Sequence, residues 1–492
     1  MGKVLKQSFW STIVIYFGVL LGFINSIILF PKFLTTEEIG LIRQIISAST
    51  ILIPIATFGA SSTYVKYYPL FKESLEEKKQ FFSLNLLIIL ISYSIVLFFL
   101  FFLLDEIKLL FSEKSQLFFD YFYIVYFILF IMSISILIEA YLRARYDTIL
   151  SNIINGVSNR FLTAVTVILL SLSVIDFDYL IKSQVIIYSI GLIVLIYYAN
   201  KKDKLSVTIR FEKIKKHFSK IFNYRSYAFL GSFSNIIVLN VDVLMVTSLL
   251  GLSQTGIYTT AFYIGMVIEI PRRAISQISI PFISENIKNN KIKEIEKNYK
   301  EVSLHQMLIG ILFFILVVTN LDNIFSLIPN SNEFIKGKDV VYIIGLSKLI
   351  IMFFSYNSEL ISLSKYYRFT VITIIILAFV SIILNLILIP KYGMIGAAYA
   401  SLISIAFYNI IKFIFIKLKM KISPFSINSF KIILIGLLVF YISNYLIPSS
   451  DNPWLDILIK SLSSTSIYLI LIYKIKVSEK FNDLINQIIK IR

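Results

Sequence analysis

The chain has 492 residues, of which 57% belong to the set AVILMFWYC and only 15% are charged. A soluble domain carries about 45–50% apolar and about 25% charged residues, so this composition excludes an ordinary soluble globular enzyme. Lys and Arg number 47 against 29 Asp and Glu, a net charge of +18, and the chain has no cysteine for disulfide or thiolate chemistry.

Apolar runs long enough to cross a bilayer as a helix, about 20 residues each, occur about fourteen times along the chain. They predict an all-α integral membrane protein, because alternating barrel strands are not apparent. The first run follows Lys3 and Lys6 and ends without a small-residue cleavage site, so we expect a retained signal-anchor helix. The predicted spans are 9–30, 40–64, 81–104, 121–142, 149–173, 180–199, 226–250, 256–283, 303–321, 339–363, 370–390, 394–418, 428–447 and 454–474.

The basic residues indicate the orientation of these spans. With the N-terminus inside, the inner segments hold 32 Lys and Arg and the outer loops hold 7. Basic residues close to span ends are retained on the cytoplasmic side. The distribution therefore predicts that both termini are cytoplasmic.

Two polar segments flank the predicted lobes. Residues 200–225 carry nine Lys and Arg and join the sixth and seventh spans. They are either a plain cytoplasmic linker or a basic tether on the anionic inner leaflet. The C-terminal segment places five apolar residues on one helical face, which predicts an interfacial amphipathic helix: Phe481, Leu484, Ile485, Ile488 and Ile489.

Two similar turns suggest an internal repeat. LTTEEIGL at 34–41 and LGLSQTGI at 250–257 each end a short outer loop, and their glycines, Gly40 and Gly256, are 216 residues apart. We therefore expect two six-helix lobes that are parallel repeats, with a transport path between them. The predicted division is an N-terminal lobe 1–199, the linker 200–225, a C-terminal lobe 226–420, and helices 13 and 14 with the tail in 421–492.

Charged residues within the spans are the candidate site, because an ionised group at the bilayer centre costs roughly 2.5–3.5 kcal/mol on insertion scales. Asp242 and Glu269 are the deep acids and candidate coupling or counter-charge groups. The bases outnumber them, and a positive cavity favours an anionic group such as a phosphate or diphosphate. The candidate substrate-binding bases are Arg43, Arg160, Arg272, Arg273 and Lys348 within the spans and Lys66 at the end of the second.

Internal pairing is the alternative explanation of these charges. Glu269 precedes Arg272 and Arg273 by three and four residues, a spacing that brings side chains together on a helix. Asp242 would then pair with a base on another helix. Pairing still leaves more bases than acids.

Several motifs are missing. The sequence has no GxxxxGK[ST] phosphate loop, no HExxH and no GxSxG. We expect a transporter rather than an enzyme, with no cofactor beyond a coupling cation, Na⁺ or H⁺. Nucleic acid is not an expected partner.

Four segments in this order resemble the polysaccharide flippases of the MOP superfamily, which include O-antigen and capsule flippases. They are PKFLTTEEIGL, FGASSTYVKYYP, VDVLMVTSLLGLSQTGIYTTA and LILIPKYGMIGAAYAS. The resemblance implies a MATE-like fold of fourteen helices and alternating access to a cationic cavity in the bacterial inner membrane. The implied substrate is an undecaprenyl-diphosphate-linked oligosaccharide, and the implied partners are membrane lipids, a polysaccharide polymerase and glycosyltransferases.

The resemblance also covers single residues and leaves alternatives open. Asp242 matches the acid common in the seventh helix of the family, and Lys66 matches the basic residue that closes the second. The alternatives are a multidrug/cation antiporter of the same fold, a lipid II flippase, and a membrane polymerase or ligase. The lipid II branch carries basic residues in the first helix, whereas this chain has none between Trp10 and Pro31.

Overall fold

The computed structural model describes the backbone of residues 2–203 and 206–490, and that part is all-helical, without strands. Side chains of residues 2–9, 12, 273, 274, 277, 278, 281, 484 and 488–490 lie outside the described part. The predicted all-α membrane fold is confirmed.

Contacts divide the chain into two compact units, Met1–Thr259 and Thr260–Arg492. The first unit includes the helix that the sequence analysis assigns to the second lobe as span 226–250. The predicted lobe boundaries stay a prediction, since they rest on sequence repetition rather than on contacts.

The described part of the first unit contains nine numbered helices and the start of a tenth, with short helices Leu104–Leu109 and Gln116–Asp120 between α4 and α5. A π-helical turn, Ile24–Leu29, extends α1, and another, Ile154–Ser158, joins α6 to α7. The helices are α1 Gly2–Phe23, α2 Thr36–Thr57, α3 Ala60–Phe71, α4 Leu75–Phe102, α5 Phe122–Ala144, α6 Ile149–Ile153, α7 Asn159–Ser171, α8 Phe177–Lys202, α9 Phe218–Leu250 and α10 Leu252–Met266.

The second unit holds the end of α10 and nine further helices, with short helices Leu321–Leu327 and Ser331–Phe334 before the third of these nine. The nine are α11 Ile270–Lys288, α12 Ile292–Thr319, α13 Lys338–Phe354, α14 Asn357–Leu363, α15 Tyr367–Tyr392, α16 Met394–Lys419, α17 Ile427–Tyr445, α18 Pro453–Lys474 and α19 Glu479–Lys490.

Twelve helical segments of the described residues are long and apolar enough to cross a membrane, or thirteen if the bent pair Ser331–Phe354 and Asn357–Leu363 forms one span. They correspond to thirteen of the fourteen predicted spans. The remaining one, 256–283, is helical but is interrupted by a 3₁₀ turn at Val267–Glu269. Pro271 follows this turn at the start of α11, where its missing N–H is tolerated.

The two turns of the suspected repeat meet in the first unit. An ideal Cβ on Gly40 would lie 1.9 Å from the carbonyl oxygen of Leu252, and one on Gly256 would lie 2.0 Å from that of Thr36. The Thr36 and Ser253 hydroxyls are 2.8 Å apart at the same crossing. The helices α2 and α10 therefore touch backbone to backbone at their first turns.

Apolar and aromatic packing holds each unit together. In the first, the Tyr64 ring stacks 4.9 Å from Phe81 within a buried cluster between α3, α4 and α5. In the second, buried Tyr468 of α18 donates to the Leu308 carbonyl oxygen of α12 at 3.0 Å. The predicted C-terminal helix is present, and Phe481 packs on this second cluster, while the side chains of Leu484, Ile488 and Ile489 lie outside the described part.

Candidate functional site

A row of alternating charges lies within the second unit. Lys348 Nζ is 3.4 Å from Glu269 Oε2, and Arg272 Nη1 is 3.5 Å from Glu269 Oε1. The other end of the guanidinium, Nη2, is 3.4 Å from Glu359 Oε1. The order along the row is thus Lys348, Glu269, Arg272, Glu359, and the side chains are only 10–18% exposed.

Two breaks in helices position the carboxylates of this row. Glu269 ends the 3₁₀ turn between α10 and α11, and Arg272 stands three residues on in α11. Glu359 lies in α14, beyond a 48° bend whose Ser355 has φ +54°. The pairing of Glu269 with Arg272 is confirmed, whereas its contact with Lys348 of α13 joins residues far apart in sequence.

The row is not saturated with hydrogen bonds. Its ion pairs are longer than the 2.7–2.9 Å typical of charge-assisted hydrogen bonds. Arg272 Nε and Glu359 Oε2 are buried and have no hydrogen-bond partner in the described part of the chain. Buried polar groups are nearly always satisfied, so these two atoms leave the hydrogen bonding of the row incomplete.

A further base, Lys412, adjoins this row. Its Nζ donates to Ser358 Oγ at 2.6 Å and lies 3.6 Å from the centroid of the Tyr408 ring, and the residue is 1% exposed. Lys412 is therefore buried, although it stands near the end of the predicted span 394–418. Since Ser358 precedes Glu359, Lys412 adds a third base to the two acids and two bases of the row.

The remaining second-unit candidate is Arg273. Its backbone belongs to α11, but its side chain lies outside the described residues. Its role in binding stays a prediction.

In the first unit, Arg160 packs on the first helix. Its Nη1 donates to the Gly18 carbonyl oxygen, and its own carbonyl oxygen accepts from Asn25 Nδ2 at 2.8 Å. A Cβ on Gly22 would lie 2.6 Å from Arg160 Nη1, and one on Gly18 would lie 2.4 Å from the Gly156 carbonyl oxygen. Gly18 and Gly22 thus make room for the π-helical turn Ile154–Ser158 and for this arginine.

Arg43 and Lys66 also have neighbours within the first unit. Arg43 Nη2 donates to Ser26 Oγ at 2.6 Å, and its guanidinium lies 5.3 Å from the Phe30 ring. Lys66 is exposed, with Nζ 3.5 Å from the Tyr224 ring centroid. Arg43 and Arg160 contact Ser26 and Asn25 of the same π-helical turn, whereas Lys66 lies on α3 against Tyr224. The substrate-binding roles of all three bases stay predictions.

Asp242 is buried in α9 at 7% exposure. It accepts a hydrogen bond from the Tyr258 hydroxyl of α10 at 3.1 Å. The tyrosine hydroxyl, a neutral donor, thus links the Asp242 carboxylate of α9 to α10 across the turn at Gly251. Its role in ion coupling stays a prediction.

Sequence reasoning missed Arg225, which it counted in the polar linker. Arg225 lies in α9 and is fully buried. It donates to the Phe58 and Thr57 carbonyl oxygens at 2.7 and 3.2 Å and to Asn85 Oδ1 at 2.9 Å. The guanidinium thus binds the carbonyl end of α2, where the helix dipole favours a cation.

The candidate residues do not form a metal site. Among the side chains that the structure describes, no group of three or more His, Asp or Glu is placed to hold a metal ion.

Comparison with known proteins gives one family match and one curated relative. A family described as "Polysaccharide biosynthesis protein" matches residues 4–287. The relative, "Probable low-salt glycan biosynthesis flippase Agl15" of Haloferax volcanii, is 24% identical over 229 residues. That alignment covers 46% of this chain and 48% of the relative, so the match spans about half of the relative's length.

Two solved structures have the same fold. The lipid II flippase MurJ in an inward closed conformation gives a TM-score of 0.73 at 20% identity, covering 96% of this chain and 99% of that one. An inward-facing multidrug resistance MATE family transporter of the MOP superfamily gives 0.66 at 13% identity, covering 82% and 94%. At these identities the likeness establishes the fold.

Proposed function

Because the chain belongs to the polysaccharide biosynthesis protein family, we propose that it is a flippase for a lipid-linked oligosaccharide. The expected substrate is an undecaprenyl-diphosphate-linked glycan, moved from the inner to the outer leaflet by alternating access. The product would serve surface polysaccharide synthesis, such as O-antigen or capsule. The partly matched glycan biosynthesis flippase of Haloferax volcanii supports this class of substrate.

The observation that carries the proposal is the unsaturated charge row of the second unit. Arg272 and Lys348 share Glu269 through contacts of 3.5 and 3.4 Å, and Arg272 Nε is buried without a partner among the described side chains. A diphosphate offers oxygens that a guanidinium binds bidentately. It can displace the carboxylates from the bases, so the headgroup would exchange with an internal counter-charge rather than enter an empty site.

The energy for transport must come from outside the chain's own chemistry. The sequence has no phosphate loop for ATP. Ion gradients, the membrane potential, or supply and removal of the substrate are the remaining sources. A coupling cation is the expected ion in the first case.

Direct reconstitution tests the proposal. The purified chain would be placed in vesicles holding one of three labelled compounds: an undecaprenyl-diphosphate oligosaccharide, lipid II, or a cationic dye. We expect leaflet exchange of the oligosaccharide, and a loss of at least about tenfold in Arg272→Gln. Export of the dye alone would make the chain an antiporter, and exchange of lipid II alone would make it a lipid II flippase.

The absence of cysteine makes the topology directly testable. We propose that both termini are cytoplasmic in the cytoplasmic membrane, so a single cysteine at Lys220 would be inside and one at Asp105 outside. In intact cells an impermeant thiol reagent should label Asp105→Cys and spare Lys220→Cys. The reverse pattern would contradict the proposed orientation, and the unsubstituted chain serves as the blank because it has no thiol.

A further inference from the structure

A cavity with both polar and apolar walls lies within the first unit. It has a volume of about 260 Å³ and is lined by α2, α5, the π-helical turn with α7, and α8. Ile53, Met132, Ile136, Ile154 and Leu192 supply apolar walls. The polar lining is Ser135, Glu139, Asn155, Asn159 and Tyr188.

Glu139 is the carboxylate of this cavity. Its Oε1 accepts a hydrogen bond from Asn155 Nδ2 at 2.7 Å. Unlike Glu269 and Glu359, it forms no ion pair with a Lys or Arg of the described part. An ionised carboxylate within a membrane helix is costly unless a positive charge neutralises it.

The charged and titratable neighbours are few. Arg143 stands one turn further along α5 and is exposed, and Tyr188 of α8 lines the cavity. From α2, the π-helical turn and α7 only neutral side chains face it: Ile53, Ile154, Asn155 and Asn159. The described lining therefore supplies no second acid and no base.

A second oxygen in the cavity lacks a donor. Asn159 Oδ1 is buried and accepts no hydrogen bond in the described part. It lies 3.6 Å from where a Cβ on Gly191 would stand, an ordinary van der Waals distance, so this oxygen borders the wall that α8 forms. The π-helical turn Ile154–Ser158 places Asn155 beside it, and such turns are frequent at functional sites.

We propose that Glu139 and Asn159 form a binding site for a monovalent cation, either a proton or a sodium ion. A proton would bind a Glu139 oxygen, whereas a sodium ion would bind that carboxylate together with Asn159 Oδ1. Both neutralise the carboxylate, and oxygen ligands suit either. The inference rests on the proposed function in that transport coupled to an ion needs such a site, and it moves the coupling acid away from Asp242 and Glu269.

Two binding measurements on the full purified chain in detergent test the site. Infrared difference spectra across pH report a protonated carboxyl group, and ²²Na⁺ binding reports sodium. We expect one of these signals in the unsubstituted chain and its loss in Glu139→Gln. In the sodium case, Asn159→Ala should weaken binding at least about tenfold, as removal of supporting ligands typically does.

The control is Glu106→Gln, since Glu106 is exposed in the helix Leu104–Leu109. It should keep whichever signal the unsubstituted chain shows. Glu139→Gln keeps an oxygen that can accept the hydrogen bond from Asn155. If this variant does not fold, Glu139→Asp provides a second one, which should retain a titrating carboxyl group. Absence of both signals in the unsubstituted chain, or their survival in Glu139→Gln, would overturn the proposal.

Neither measurement requires flipping. A chain that binds the cation but moves no oligosaccharide would contradict the proposed function and leave the site standing. A chain that flips oligosaccharide but shows neither the infrared nor the ²²Na⁺ signal would support the proposed function and contradict the cation site.

Discussion

Gly40 and Gly256 form a reciprocal contact. Each stands four residues after the start of its helix, and each faces the carbonyl oxygen of the residue that opens the other helix, Leu252 and Thr36. Both pairs are separated by the same 216 residues. This is the geometry expected of equivalent turns packed about a local two-fold axis.

Alanine at either glycine should therefore cause similar damage. The added Cβ would lie 1.9 Å from a backbone oxygen at residue 40 and 2.0 Å at residue 256. Overpacking of this kind costs about 1–3 kcal/mol. Thermal unfolding of purified Gly40→Ala and Gly256→Ala should show lowered and closely matched midpoints.

The matched control for these variants is Gly231→Ala. Gly231 lies in α9, and a Cβ there would meet nothing within 4 Å. Since alanine is the better helix former by about 1 kcal/mol, this variant should be neutral or more stable. A normal midpoint in Gly40→Ala would show that the helices can separate without cost.

Replacement of Arg225 should destabilise the first unit strongly. Arg225→Lys keeps the charge but cannot bind three acceptors in a planar fork. Each buried acceptor left unsatisfied costs about 1–3 kcal/mol. The midpoint of thermal unfolding should fall well below that of Lys220→Ala, a change at an exposed position of the same helix; equal midpoints would argue that Arg225 contributes little.

Substitution of Arg160 tests whether this residue serves packing or substrate binding. If its main role is the contact with the Gly18 carbonyl oxygen, Arg160→Gln should lower thermal stability and flipping together. If it binds substrate, flipping should fall while the unfolding midpoint stays unchanged. We expect the first outcome, with Gly18→Ala more damaging than Gly22→Ala because the first meets backbone and the second a flexible side-chain end.

Removing the counter-charge should strengthen binding of an anionic headgroup. Glu269→Gln preserves shape but frees Lys348 and Arg272 from their shared carboxylate. Equilibrium binding of the diphosphate-linked oligosaccharide should tighten, and it should weaken in Lys348→Gln. Weaker binding in both variants would mean that Glu269 positions the bases rather than competing with the headgroup.

Sequence alone predicts the membrane helices and the local ion pair well. Hydrophobic runs report burial in lipid directly, and Glu269 and Arg272 are three residues apart on consecutive turns. The glycine turns could be paired because their spacing repeats. These features depend on residues that are close in sequence or alike in pattern.

The rest depends on tertiary packing. Lys348 reaches Glu269 from another helix, and Lys412 is buried because α16 packs beside the bend at Ser355. Arg225 looks like a linker charge because it directly follows a segment rich in lysine and arginine. The sequence pattern does not predict which carbonyl oxygens or hydroxyls, distant in sequence, accept hydrogen bonds from a buried basic side chain.

The contact between Arg225 and the end of α2 has a consequence for biogenesis. The carbonyl oxygens of Thr57 and Phe58 reach the membrane long before residue 225 leaves the ribosome. Until then, water, lipid headgroups or the insertion machinery must solvate that helix end. Completion of the first unit therefore depends on synthesis of α9, and a chain truncated before α9 would expose an uncapped helix to cellular quality control.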